Sequence, residues 1–487
     1  MTRRGRTHHT PRRRLATVAL LATMTLGCAP AGGPITTTPA SSALPSASAA
    51  DSTPPASAPT GAIAPAESIA PSRSSATAPA SSGTSLPSAV TSPGDTGTTA
   101  ADAEIARYLA AVRADAQDGR SRVLLGYAYL QRVRETGDPA DYGRAEIVLD
   151  EALALDPEDV DALIGKGTLA LARHDFREAL ELGERARALA PNQPRAYGVI
   201  ADAQTELGLY DEAVTALQTM VDLRPDLTSY SRISYARELR GQVDAAIKAM
   251  EQAVRAGGAV PENTEYVRVL LGNLHLNKGD LAAAERIYGE SLAALPGFVY
   301  ALAGLASVRA AQDRLDEAEK LAQQAVDAIP LPQFVIALAE IQEAAGRTSE
   351  AETNYALVRQ IQALFAENGV KTDLELALFE ANHGTDPAAA VELARAAYAD
   401  QPNIKAADAL AWALYGAGSY DEAERYATEA LRLGTRDASM YFHAGMIAKA
   451  RGDTETARTR LAEAMAIHPG FSPLASRVAR AALDELT

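Results

Sequence analysis

From residue 119 onward the apolar positions recur at helical spacing, three to four residues apart, in short amphipathic stretches broken at regular intervals. Within each pair of stretches one small residue holds a fixed place. Alanine occupies it at Ala145, Ala179, Ala213, Ala246, Ala284, Ala318, Ala351, Ala390, Ala423 and Ala457, with successive gaps of 34, 34, 33, 38, 34, 33, 39, 33 and 34 residues. A period near 34 predicts stacked helical hairpins, in which each unit buries its apolar face on the next. The clearest unit runs from Val160 to Pro191. A first helix is expected from Val160 to Arg173, a tight connection at His174-Asp175, and a second helix from Phe176 to Leu189, which Pro191 ends. Gly167 and Ala179 are the small residues expected where the two helices approach.

The punctuation repeats with the pattern. Prolines close units at Pro157, Pro191, Pro225, Pro296, Pro330, Pro402 and Pro469. The connection inside each hairpin carries glycine at Gly208, Gly279, Gly418 and Gly452, where a helix ending in a left-handed residue calls for it. Aspartate or glutamate follows, placed to meet the positive end of the next helix. The unit holding Leu271, Gly272, Gly279, Ala284, Tyr288 and Pro296, and the first unit with Leu125, Gly126, Tyr129, Ala145, Ala152 and Pro157, resemble tetratricopeptide repeats. The first unit carries about seven extra residues around Gly137-Asp138-Pro139. Ten units are expected over residues 119–470, with capping helices in 101–118 and 471–487. The second helix of the seventh unit should run on from Glu350 to about Ala366, and the units near 371–402 and 404–436 depart from the pattern.

The resemblance implies an all-α, right-handed superhelix whose concave face is lined by the first helix of each hairpin. Carried onto this sequence, the groove positions are Tyr127, Tyr235, Tyr266, Asn273, Asn277, Tyr300, Phe379, His383, Trp412, Tyr415 and Phe442. Two roles are open to these aromatics: filling gaps between neighbouring helices, or offering contact area to a peptide or partner helix. Trp412 lies beside the close-packing Ala411 and is expected to turn off the buried stripe, and His383 and His443 are expected on the surface. The family's carboxylate clamp of lysines and asparagines is missing, since Thr168, Asp202 and Tyr235 stand at the groove positions. Binding of a free C-terminal carboxylate is therefore not expected.

The N-terminal hundred residues follow different rules. Six arginines precede a twelve-residue apolar run, Leu15–Leu26, too short to span a bilayer and arranged as an export signal over residues 1–27. The run ends in Thr25-Leu26-Gly27-Cys28, which resembles a bacterial lipobox, although Thr25 stands where an aliphatic residue is usual. The resemblance implies lipidation of Cys28, the single cysteine, and attachment to the outer face of the cytoplasmic membrane. Cleavage without lipidation, and secretion, is the alternative. Residues 28–100 are rich in Ser, Ala, Thr and Pro and cannot bury enough apolar surface to fold. A flexible coil of that length spans about 45–50 Å and would act as a tether.

Charge narrows the partners. The formal net charge is −16, or −22 once the arginine-rich signal is removed, which argues against nucleic acid and anionic headgroups as ligands. Cysteine-based metal sites are impossible, the histidines are scattered, and no cofactor is expected. Gly165-Lys166-Gly167-Thr168 lacks the upstream glycine of a phosphate loop and falls inside a helix. The expected function is a membrane-anchored scaffold that binds a protein or peptide. Binding of glycan or cell-wall peptide by the aromatics is a second class. An enzyme built on acidic residues of 358–390 is a third.

Overall fold

The computed structural model describes residues 99–258 and 260–486. The signal segment, Cys28 and nearly all of the tether lie outside them. Among the described residues the structure is helical throughout, with 22 helices and no strand. A first helix, α1 (Ala100–Ala114), precedes ten hairpins. These are α2 (Gly119–Thr136) with α3 (Ala140–Leu155), α4 (Val160–Ala172) with α5 (Phe176–Leu189), α6 (Pro194–Glu206) with α7 (Tyr210–Leu223), α8 (Leu227–Leu239) with α9 (Val243–Ala256), and α10 (Pro261–Asn277) with α11 (Leu281–Ala294). The second half continues with α12 (Val299–Ala311) and α13 (Leu315–Ala328), α14 (Pro332–Ala344) and α15 (Thr348–Glu367), α16 (Asp373–His383) and α17 (Pro387–Asp400), α18 (Ile404–Gly416) and α19 (Tyr420–Ala430), and α20 (Ala438–Ala450) and α21 (Thr454–Ile467). Helix α22 (Ala475–Glu485) closes the array. No described helix is long and apolar enough to cross a membrane.

The ten periodic alanines are all buried, none more than 2% exposed. They sit where paired helices cross, so the side chain there sets the interhelix distance. The hairpin turns follow from local chemistry. Gly279 takes φ 81°, a conformation a Cβ would strain. Asp280, immediately after it, accepts the N–H of Ala283 and caps α11. Asp175 and Asp453 do the same for α5 and α21, so these acids stand at the helix cap rather than one turn inside. The extra residues of the first unit are absorbed by an 18-residue α2 and a 16-residue α3, and α15 runs on to Glu367, close to the expected end near Ala366.

Tyr288 shows how tightly the layers nest. Its ring is fully buried between Gly272 of α10 and Gly304 of α12, and its hydroxyl donates to Asn273 Oδ1 at 2.6 Å. A Cβ on Gly304 would lie 2.5 Å from the ring, and one on Gly272 2.4 Å. We expect Gly304→Ala, like Ala284→Leu, to cost about 1–3 kcal/mol by overpacking. Thermal unfolding followed by circular dichroism checks this, and unchanged melting of both variants would contradict the packing register.

The array also closes on itself. The turn inside each early hairpin meets the loop that follows the unit five places later. Lys371 N–H donates to the Arg173 carbonyl at 2.9 Å, and His174 Nδ1 donates to the Lys371 carbonyl at 2.9 Å. Asn403 Nδ2 donates to the Glu206 carbonyl at 2.9 Å, Thr435 Oγ1 to the Leu239 carbonyl, and Arg477 pairs with Asp313 at 2.8 Å. Glycines permit the approach. A Cβ on Gly208 would stand 2.5 Å from the Pro402 oxygen, and one on Gly241 2.2 Å from the Gly434 oxygen. One turn of the coil thus rests on the next along a continuous seam, with the first helices of the hairpins facing inward.

Candidate binding lumen

Eleven residues before each periodic alanine stands one side chain of the first helix: Arg134, Thr168, Asp202, Tyr235, Asn273, Ser307, Glu340, Phe379, Trp412 and Met446. The series is polar through the first seven units and apolar in the last three. The structure follows that division. Asp202, Tyr235, Asn273, Ser307 and Glu340 line one cavity of about 250 Å³. Phe379, Trp412 and Met446 are buried in the helix layers beyond it.

The cavity wall belongs to α6, α8, α10, α12 and α14, and the opposite side is supplied by the second turn of the coil through Lys405, Asp408, Asp437 and His468. Carboxyl groups dominate. Asp202 is held in a two-point pair by Arg232, with Nε to Oδ1 at 2.9 Å and Nη2 to Oδ2 at 2.8 Å. Burial pushes Asp202, Glu206, Glu238, Glu340 and Asp437 above the ordinary carboxylate range, because a charge out of water lacks solvation. Neighbours oppose the shift: Arg232 beside Asp202, Lys405 beside Glu206 and Glu238, and the hydrogen bond between His383 and Glu340. Lys405 Nζ donates to the Tyr235 hydroxyl at 2.6 Å. Asn277 is exposed and donates to Glu238 Oε1 at 3.4 Å, which marks where the cavity meets solvent.

His468 carries a pH signature. Its ring is buried, its Nδ1 accepts the Gly470 N–H at 3.2 Å, and burial lowers its pKa to about 4. The folded value lies below the unfolded 6.5, so the unfolded chain binds this proton first. Stability from the neutral ring is therefore present above pH 6.5 and is lost as pH falls toward 4. Between pH 7 and 4 the wild-type chain should lose up to about 3 kcal/mol more than His468→Gln. Urea unfolding of both proteins across that range measures the difference, and parallel curves would contradict it.

The sequence-derived groove residues divide into two groups. Tyr235, Asn273 and Asn277 meet at the cavity. The other eight do not. Tyr127 is buried and takes Arg195 on its hydroxyl and over its ring. Tyr266, Tyr300 and Phe334 form an edge-to-face ladder at 5.3 and 5.5 Å. Near that end of the coil, Gln131 and Arg134 of α2 reach Glu262 and Asn263 of α10. Phe379, Trp412 and Phe442 are 2%, 2% and 0% exposed. The expectation that Trp412 leaves the buried stripe is corrected. Its Nε1 donates to Asn382 Oδ1 at 2.8 Å, and its ring stacks on Tyr415 and His443. An inner helix is covered by its own partner and by the inner helices on either side, so three of its faces are enclosed. The two histidines expected on the surface are buried for the same reason. His383 Nε2 meets Glu340 Oε1 at 3.0 Å and His443 Nδ1 meets Asp408 Oδ2 at 2.9 Å, each acid lying one unit upstream.

Glu206, Glu238, Glu340, Lys405, Asp437 and His468 were not singled out by sequence. The register eleven residues before each alanine would have found Glu340. Lys405 has no local signal, since it arrives from 170 residues beyond Tyr235. Among the described residues no cluster of His, Cys, Asp or Glu is arranged to hold a metal.

Antiparallel helix pairs nested at a period near 34 residues define a helical-repeat scaffold, a class whose members typically bind proteins rather than catalyse reactions. Profiles described as tetratricopeptide repeat match residues 170–234 and, for a second profile, 140–194, 269–331 and 409–470. These stretches of the array carry tetratricopeptide repeats. Similar solved structures include the APC/C hetero-tetramer Cut9-Hcn1, with 15% identity over 78% of this chain and 92% of that one, at a TM-score of 0.35. YrrB, titled a TPR protein with an unusual peptide-binding site, shows 18% identity over 37% of this chain and 91% of its own, at 0.27. A thermophilic TPR protein of Thermus thermophilus shows 21% identity over 43% and 99%, at 0.33. No curated protein matches the sequence.

Proposed function

We propose that this chain is an exported scaffold of the bacterial cell envelope, lipid-anchored through Cys28 to the outer face of the cytoplasmic membrane, whose repeat array holds a protein or peptide partner at the lumen. The carrying observation is the cavity, where Tyr235, Asn273 and Asn277 of the inner helices converge among buried and half-buried carboxyls. Such a wall suits a polypeptide segment, because amides and hydroxyls supply orientation and the acids select positive charge. The arginine-rich start, the short apolar run and Cys28 support export and anchoring. Sugar stacking on the C-terminal aromatics is disfavoured, since Phe379, Trp412 and Phe442 leave no ring face open.

A photoreactive residue at position 277, in intact cells, tests the reading. One discrete protein adduct that disappears with Tyr235→Ala is expected, and labelling of solvent or lipid alone would overturn it. For the anchor, Cys28→Ala should move the protein from the membrane pellet to the soluble fraction. Retention in the pellet would refute lipidation.

A further inference from the structure

The seam places a short segment of the second turn against the inner face of the first in a manner resembling a bound ligand. Asn403 Nδ2 donates to the Glu206 carbonyl at 2.9 Å and lies 3.4 Å from Glu206 Oε2. Ile404 N–H donates to the Tyr210 hydroxyl at 2.9 Å. The Ile404 side chain is fully buried in an apolar cluster with Tyr210 and Leu239. Lys405 sends its ammonium to the Tyr235 hydroxyl at 2.6 Å, with Glu206 and Glu238 close enough to be stabilised as anions by it. Three consecutive residues thus use an amide site, an apolar socket and an acidic hydroxyl-bearing site in sequence. The cavity continues past the ammonium along Asn273 and Asn277, so the seat is larger than its occupant.

We propose that the inner face of α6 and α8, with the start of α7, is a recognition seat for a partner segment carrying an apolar residue followed directly by a lysine, and that the chain's own Asn403-Ile404-Lys405 holds this seat in cis. Three features distinguish the seat from ordinary core packing. Each of the three residues gives a donor to a different group of the seat, Asn403 to the Glu206 carbonyl, Ile404 N–H to the Tyr210 hydroxyl and Lys405 to the Tyr235 hydroxyl. Of the carboxyls it presents, Glu206 is buried and Glu238 half-buried, and one lysine faces both. The contact joins units that are distant in sequence, the N-terminus of α18 on one side and the end of α6, the start of α7 and α8 on the other. A tethered occupant has an effective concentration in the millimolar range, so an external segment binds with its affinity reduced by the fraction of time the seat is open. The seat rests on the scaffold reading for its biological role but is measured independently of it.

The test is fluorescence anisotropy with a labelled synthetic peptide of residues 400–409 and the full chain. Lys405→Glu places a like charge beside Glu206 and Glu238 and vacates the seat. We expect that variant to bind the peptide about tenfold or more tightly than the unaltered chain. Binding should vanish when the peptide's lysine is replaced by glutamate, or when Tyr235→Phe and Glu238→Gln are added to the variant. Should Lys405→Glu lose its helical circular dichroism, Lys405→Ala takes its place, with the same ordering expected. Equal affinity for the altered and unaltered chains, or binding indifferent to the peptide's lysine, overturns the proposal. A crosslinked partner at position 277 without peptide binding refutes the seat alone. Peptide binding without a crosslinked partner refutes the scaffold role alone.

Discussion

A Trp412→Ala variant should unfold with a loss of about 3–5 kcal/mol, the range for emptying a well-packed aromatic site. The indole is 2% exposed and touches three inner helices: its own α18, α16 through Asn382, and α20 through Phe442 and His443. Truncation leaves a void between α16, α18 and α20 and removes the donor to Asn382 Oδ1, so transfer, cavity and polar terms act together. The measurement is the free energy of urea unfolding of both proteins, read by circular dichroism, since the variant carries no tryptophan. A loss under about 1 kcal/mol would mean the three inner helices do not meet there.

The second large effect is expected at the seam. Gly241→Val forces a β-branched residue to φ 68° and drives its Cβ to within 2.2 Å of the Gly434 carbonyl oxygen. Strain and overpacking together should cost about 2–5 kcal/mol if the two turns stay in contact. Parting the turns relieves the clash, at the expense of the Thr435–Leu239 and Asn403–Glu206 hydrogen bonds. The expected outcome is a chain with near-native helix content and a larger radius of gyration by small-angle X-ray scattering. A variant that melts at the wild-type temperature with unchanged dimensions would show the seam to be absent in solution.

Hairpin order and packing register were legible in the sequence because they depend on neighbours one period away. The alanines, closing prolines and turn glycines each report a contact within a single hairpin. Ala284 is buried where its period places it, and Gly279 takes the left-handed turn expected of it. The lumen was legible only in part, because its chemistry is assembled across the coil. Tyr235, Asn273 and Asn277 were found, being repeated positions on inner helices. Trp412 and Phe442 were expected in an open groove because a single hairpin shows one of the inner helix's neighbours and hides the inner helices on either side. Lys405 and His468 reach the cavity from the second turn, and no periodicity of their own hairpins announces it.

The seam changes what kind of object this array is. In an open solenoid each unit touches only those before and after it, so damage stays local and the chain can melt from its ends. Here the unit around Gly208 is braced by Pro402, and the unit around Gly279 by the Ile467 carbonyl. Shortening the chain at residue 400 would therefore uncover the flank of helices two hundred residues away. Loss of the final units should propagate to the first ones, and melting should proceed as one concerted event rather than a progressive fraying.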